Sequence, residues 1–390
     1  METDKISKAY HQRSHSKAND KESRFLKELF DVNSELMSAK SSEKIFSCYE
    51  RRSEIYLRMK QYSKCMRNIN AARENGTSTN ILNMKKECLE LIKTDYEIHP
   101  KKLDFFELSH SRNKRNPSLA ECLKLCVNDK YGRHIVTTKR LTPGDFVLID
   151  KPFYKSLDKN FSCSRCVNCL KCNLFDLDPC KSCASVMFCS KVCEDNAWEE
   201  FHKFECSTIK KYTQDDGFLM MIQRTLFKIM KIYESVDNLG KLLKNDLKSE
   251  TIFDLDVSKG SRKQHEKKFV DVCFSLEFST PTDQEKSFAK SFVNYHPYIR
   301  QIWQTQSQKN ILIEFVIRVI GILNRNSFTM HWNSSWISDG DATGCAVLPS
   351  ASFINHSCSP NLHWICIDDE IIFIVRKPIE VNEQLFICYQ

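Results

Sequence analysis

The segments Asn355-His356-Ser357-Cys358-Ser359-Pro360-Asn361 and Glu383-Gln384-Leu385-Phe386-Ile387-Cys388-Tyr389 decide how this chain is read. Between them lies Trp364–Val375, two apolar β-branched runs about Asp368-Asp369, which is a hairpin pattern. Cys345–Tyr389 is therefore read as β-rich. Further back, Arg133–Lys151 (RHIVTTKRLTPGDFVLIDK) gives two short strands around the turn Thr142-Pro143-Gly144-Asp145. The strands thus fall into two groups far apart in sequence, and a continuous sheet would have to be assembled from both sides of whatever separates them.

A cysteine-rich segment and a helical one separate them. Nine of the 19 cysteines fall within Cys163–Cys206. The start of the chain, Met1–Asp20, is polar and is expected to be no export signal, so a reducing compartment and metal rather than disulfides are expected. Four ligand pairs can be read: Cys166-x2-Cys169, Cys180-x2-Cys183, Cys189-x3-Cys193 and His202-x3-Cys206. A pair two residues apart can grip an ion through a tight turn, and ligands at i and i+4 meet on one helical face. Eight ligands of this kind make two closed, structural zinc sites. Cys163 and Cys172 are left over, and Cys169-x2-Cys172 competes as the first pair. Residues 216–325 read as mostly helical, with a polar loop near Ser258–Lys268.

In the first third, Phe25, Leu26, Leu29 and Phe30 have helical spacing. Ile45–Glu74 reads as two amphipathic helices joined near Lys60-Gln61, with another helix near Ile81–Lys93. The chain has 390 residues, 41% hydrophobic and 28% charged, which is globular composition for two or three domains. No apolar run reaches the roughly 18 residues of a membrane span; Asn310–Leu323 comes nearest, interrupted by Glu314 and Arg318. The net charge is +8, and residues 1–120 carry 24 basic against 17 acidic groups, an excess too diffuse to mark a nucleic-acid groove. Arg112, Lys114 and Arg115 are read as a solvated loop, with nuclear import as the alternative.

Three resemblances follow from these residues. Tyr49, Tyr56, Leu57, Tyr62 and Ala71 stand where a tetratricopeptide repeat buries its aromatic and small residues. The cysteine segment, with Phe188, Trp198 and His202, resembles a MYND finger. That resemblance implies interleaved ligands: Cys166, Cys169, Cys189 and Cys193 on one zinc, Cys180, Cys183, His202 and Cys206 on the other. It also implies Pro-rich peptide partners. NHSCSPN, the downstream EQLFICY and Tyr131-Gly132-Arg133 resemble the SET domain of protein-lysine methyltransferases. SET with a MYND insertion resembles the SMYD family, in particular its members with a tetratricopeptide-like N-terminus.

The resemblance implies an α+β multidomain protein: a helical unit over 1–100, a split SET domain over 118–390, a MYND finger at 166–206 and a helical insert at 207–325. It implies S-adenosylmethionine as cofactor and a protein lysine, histone or not, as substrate. Asn355 would hold the amino-acid end of the cofactor, and His356 would fix the turn through its backbone. Tyr131, Gly132 and Arg133 would approach the same cofactor, Gly132 because a missing Cβ admits close contact. Asn326 stands either as a further cofactor contact or as a helix-end cap. Tyr389 would place the catalytic hydroxyl at the lysine channel.

Three departures from the family pattern carry expectations. Asn382 replaces a glycine but tolerates positive φ. His134 replaces the second glycine of Gly-Arg-Gly and should add bulk near the cofactor. Gln390 ends the sequence where the family continues into a cysteine-rich segment and a helical domain, so the chain is expected to be truncated and to methylate poorly as written. The competing expectation is a MYND and repeat scaffold that recruits partners such as repressor complexes. Cytoplasm and nucleus are the expected locations.

Overall fold

A computed structural model describes residues 20–91, 106–172, 174–209, 217–244, 253, 256, 259–276, 279–330, 344–367 and 369–389. The polar N-terminal stretch, Pro100, Ser258 and Gln390 lie outside them. No helix among the described residues is long and apolar enough to cross a membrane, and Asn310–Leu323 lies inside a helix with one buried face.

Four helices form the N-terminal unit: α1 (Asp20–Ser38), α2 (Ser42–Arg58), α3 (Tyr62–Arg73) and α4 (Thr79–Leu91). Ser41 caps α2 by accepting from the Lys44 amide. The hairpin turns at Lys60, whose φ is +58°, beside the expected Lys60-Gln61 break. Tyr49, Tyr56 and Tyr62 are buried as expected. Leu57 and Ala71 are only half-buried, and Ala72 is the small residue that faces inward, one position on from the expected one.

Arg52 is completely buried at the centre of this unit. It donates to Asn68 Oδ1 at 2.9 Å and to the carbonyl of Leu177 at 2.9 Å, across 125 residues of sequence. Tyr56 and Lys64 both donate to the Phe175 carbonyl, and Asn33 donates to the Cys163 carbonyl. The cysteine-rich segment is therefore bolted to the N-terminal helices by polar bonds through its main chain. Arg52→Ala leaves the Asn68 and Leu177 acceptors unsatisfied, each costing about 1–3 kcal/mol. Chemical denaturation should show this loss, with α1–α4 becoming sensitive to protease first.

The strands make several small sheets around one large core. Strands β1 (Leu123–Asn128) and β2 (Gly132–Thr137) form an antiparallel pair. Strand β3 (Phe146–Asp150) pairs instead with β11 (Glu370–Val375), which pairs with β10 (Leu362–Ile367). The two strands read around Thr142–Asp145 thus flank the expected turn, closed by Asp145 accepting from Thr142, but join different sheets. Strand β4 (Tyr154–Leu157) pairs with β8 (Gly344–Val347), and β8 with β7 (Ser327–Met330). The early and late strand groups do interleave, as the sequence requires.

Short ladders β5 (Asp178–Pro179) and β6 (Met187–Phe188) and helix α5 (Lys191–Ala197) belong to the cysteine-rich segment. The insert contains α6 (Gly217–Tyr233), α7 (Val236–Lys244), α8 (Arg262–Ser275), α9 (Asp283–Tyr295) and α10 (Gln306–Asn326). The polar loop expected to reach Lys268 stops at Ser261. There a capping box between Ser261 and Gln264 starts α8, so charged residues lie on a helix. The hydrophobic core runs from β3 and β4 through α6 and α10 to β11 without a break.

Candidate functional site

The eight expected metal ligands meet in two groups of four. Cys166, Cys169, Cys189 and Cys193 form one; Cys180, Cys183, His202 and Cys206 form the other, with all ligand atoms in a group within 4.8 Å of each other. Ligand pairs far apart in sequence are thereby joined. Tight turns deliver Cys166/Cys169 and Cys180/Cys183, with Leu170 and Ala184 at positive φ. Ser190 caps α5 through the Cys193 amide. After α5 a wide π-type turn, Trp198–His202, aims His202 inward. Cys172 is outside both groups, so the competing Cys169/Cys172 pair is not assembled. Cys163 is buried, its thiol pushed up to about 11 by burial.

The groups fit zinc. Tetrahedral sulfurs at about 2.3 Å from an ion lie about 3.8 Å apart. Here Cys169–Cys189 is 3.4 Å, Cys189–Cys193 3.5 Å and Cys180–Cys206 3.9 Å. Packed this closely, the thiols differ in how readily they ionise. Hydrogen bonds from Cys166 and from Cys183 pull Cys193 and Cys180 down, while contact with Cys166 and with Cys180 pushes Cys169 and Cys183 far up. A dication would let all of them ionise. The first group also packs with Leu26, Phe30 and Met37 of α1, so the N-terminal unit covers it.

The second site is built at the end of the chain. Strand β9 (Asn355–His356) lies parallel to β12 (Phe386–Ile387), and the Ser357 amide donates to the Ile387 carbonyl. The approach to β12 runs antiparallel to β2: the Leu385 amide donates to Ile135 O, and Thr137 exchanges bonds with Asn382 and Glu383. Asn382 takes φ +65°, the conformation expected of a glycine substitute there. Thus residues 382–387 are held between β2 and the NHSCSPN segment.

Asn361 fastens that arrangement, a role the sequence reading did not assign although the residue was quoted in the motif. Buried, it donates to the Gln384 carbonyl and accepts from the Phe386 amide, both at 2.8 Å. One side-chain amide thus replaces a missing strand partner. Its place at the end of NHSCSPN was the available signal.

Asn355 Nδ2 donates to the Tyr131 carbonyl at 3.0 Å, bringing β9 to the β1–β2 turn. Gly132 has φ +60°, and a Cβ there would meet nothing within 4 Å, so the space beside it is open. Arg133 points away: it donates to the Ser275 carbonyl and lies 5.0 Å over the Phe353 ring. His134 is buried and bonds to Gly132 O and Asn128, so its bulk props the turn from within. His356 accepts from the Tyr389 amide at Nδ1, and its Nε2 lies 3.2 Å from the Cys358 sulfur. The Tyr389 hydroxyl donates to the Ile354 carbonyl at 2.8 Å, with the residue 61% exposed. Asn326 closes α10, donating to the Ile322 carbonyl as a helix-end residue does. Tyr131, Gly132, Asn355, His356 and Tyr389 are therefore assembled, while the Arg133 and Asn326 side chains are engaged elsewhere.

Residues 132–390, more than half of the chain, match the SET domain family model, and the chain belongs to that family. Its relatives place it with the SET-and-MYND (SMYD) proteins at low identity. Human histone-lysine N-methyltransferase SMYD3 is 25% identical over 67% of this chain and 53% of its own length. A SET and MYND domain-containing protein of Dictyostelium discoideum is 26% identical over 73% and 49%, and Arabidopsis thaliana histone-lysine N-methyltransferase ASHR1 is 22% identical over 67% and 48%. The chain spans about half the length of these relatives. Among solved structures, the SET domain of LSMT bound to lysine and AdoHcy aligns with TM-score 0.33 and 13% identity over 69% of this chain and 49% of its own.

Proposed function

We propose that this chain is an S-adenosylmethionine-dependent protein-lysine N-methyltransferase, with a MYND-type finger holding two zinc ions and a tetratricopeptide-like unit ahead of it. The observation that carries the reading is that Asn355, Tyr131–Gly132 and Tyr389 meet around the β9–β12 pair, with Tyr131 and Tyr389 exposed. Asn355 uses one amide hydrogen on the Tyr131 carbonyl, and its Oδ1 is left to accept from an ammonium group. The open flank of Gly132 admits a ligand against main chain. When bound, the cofactor supplies a sulfonium methyl group, transferred in line to a neutral lysine amine as the S–C bond breaks and the amine loses a proton.

The chain's own residues then need only to align and to orient. Tyr389 is held at both ends, by its amide on His356 and its hydroxyl on Ile354 O, so its ring stands at a set place beside β9. Alignment to within an ångström is worth about a hundredfold in rate. His356 receives a main-chain donor at Nδ1, which suits a scaffold role rather than that of a base.

Calorimetry with S-adenosylmethionine on zinc-loaded protein tests the cofactor reading, with micromolar binding expected and no heat of binding contradicting it. Tyr389→Phe should retain cofactor binding and lose about a hundredfold in tritiated-methyl transfer to mixed protein substrates. Undiminished transfer removes Tyr389 from the mechanism. A protein that takes up zinc but neither binds cofactor nor transfers methyl is the partner-recruiting scaffold instead.

A further inference from the structure

Behind the second cysteine group lies a buried ion pair that the ligand pattern does not require. Glu205 is completely buried, one residue before the ligand Cys206. Its carboxylate receives two bonds from Arg224 on α6, at 2.7 and 3.1 Å. The same Oε1 lies 3.5 Å from His202 Nδ1, while His202 Nε2 points the other way, 3.3 Å from Cys180 Sγ and 3.6 Å from Cys183 Sγ. The imidazole thus presents one nitrogen to the ligand cluster and the other to a carboxylate. The rings of Phe188 and Trp198 stand edge-on to it at 5.8 and 6.0 Å, and Phe201 lies 4.0 Å beneath the Arg224 guanidinium.

We infer that Glu205 and Arg224 are positioning residues for the second metal centre, Glu205 by fixing the ring and tautomer of His202 and Arg224 by holding that carboxylate in place through two bonds. The inference rests on the reading that the two groups hold zinc. Charge explains why both residues are needed. Three thiolates and one imidazole around a divalent ion leave a centre of net −1, beside which a buried lone carboxylate would be strongly disfavoured. Arg224 cancels it, and the carboxylate can then accept from Nδ1–H, leaving Nε2 unprotonated for the metal.

The pair also ties the centre to the SET sheet. One turn after Arg224, Lys228 donates to the Phe153 carbonyl just before β4, and Ser156 of β4 donates to the carbonyl of Gly217 at the start of α6. One helix therefore touches the ligand's support and the sheet edge.

The test uses the full chain, loaded with zinc or with cobalt(II), and competition with a chelating dye. The two centres are distinguishable because a four-sulfur cobalt site and a three-sulfur, one-nitrogen site absorb differently. Glu205→Gln should weaken the second centre about tenfold, and Glu205→Leu/Arg224→Met, which leaves no charge buried alone, up to about a hundredfold. The first centre should be unchanged, and the cobalt bands of the second should shift. If the pair served only to fill the core, the apolar double variant would bind metal as the wild type does, which overturns the inference. Unchanged affinity in a folded Glu205→Gln also overturns it. Wild-type protein that takes up no metal overturns the zinc reading itself, and is told apart by that measurement.

Discussion

Asn361→Ala is expected to remove methyl transfer almost completely while leaving most of the chain folded. The side chain makes two buried 2.8 Å bonds to main-chain groups of Gln384 and Phe386. Alanine would strand both groups, at about 1–3 kcal/mol each. The strain falls on the segment that leads into Tyr389, three residues beyond Phe386. Under the proposed mechanism a shift of about an ångström there costs about a hundredfold. Thermal unfolding should register a loss of a few kcal/mol, and tritiated-methyl transfer a loss larger than that of Tyr389→Phe, because Asn355 and its bond to Tyr131 move as well. Activity within a few-fold of wild type would show that residues 384–389 keep their place without Asn361.

The second large effect is expected at the first cysteine group. Cys166→Ser should lower zinc content by about one ion per chain, and with it the attachment of the N-terminal helices. Cys166 packs in one apolar cluster with Leu26, Phe30 and Met37 of α1 and with Leu174, Leu177 and Met187 of the cysteine-rich segment. The segment has little core apart from its ligands, and a structural zinc contributes on the order of 10 kcal/mol to such a fold. Loss of the ion removes the floor on which α1 stands. Protease cleavage around residues 38–42, between α1 and α2, should then become rapid, whereas Cys183→Ser should empty the second group and leave α1 attached. Equal protection in both variants would show that Arg52, Tyr56 and Lys64 suffice for docking.

Helix α1 covers the first cysteine group, and the exposed Trp198 stands edge-on to His202 of the second.

Much was legible before folding because its signals are local. Ligand pairs at two- and three-residue gaps, the turn at Lys60, the antiparallel pairing of β10 with β11 and the positive φ of Asn382 all depend on residues within a few positions of each other. The first half of helix α8 was read as part of a polar loop, because the density of charge masked the capping signal of Ser261 and Gln264. Other features depend on groups that sequence order does not bring together. No pattern within α2 says that Arg52 is buried, since its acceptor is the main chain of Leu177. Strands β2 and β3 look like one hairpin, yet β3 has a better partner in β11, where both faces are covered by core.

The composition and spacing of this chain determined its classes of element, its eight candidate ligands and the residues of its C-terminal motif, because propensity, turn chemistry and ligand chemistry act over short stretches. Tertiary structure alone decided that Asn355 reaches Tyr131 while Arg133 turns to Ser275, and that Glu205 stands between His202 and Arg224. Those contacts join residues up to 224 positions apart, and only the packed core brings such residues within bonding distance.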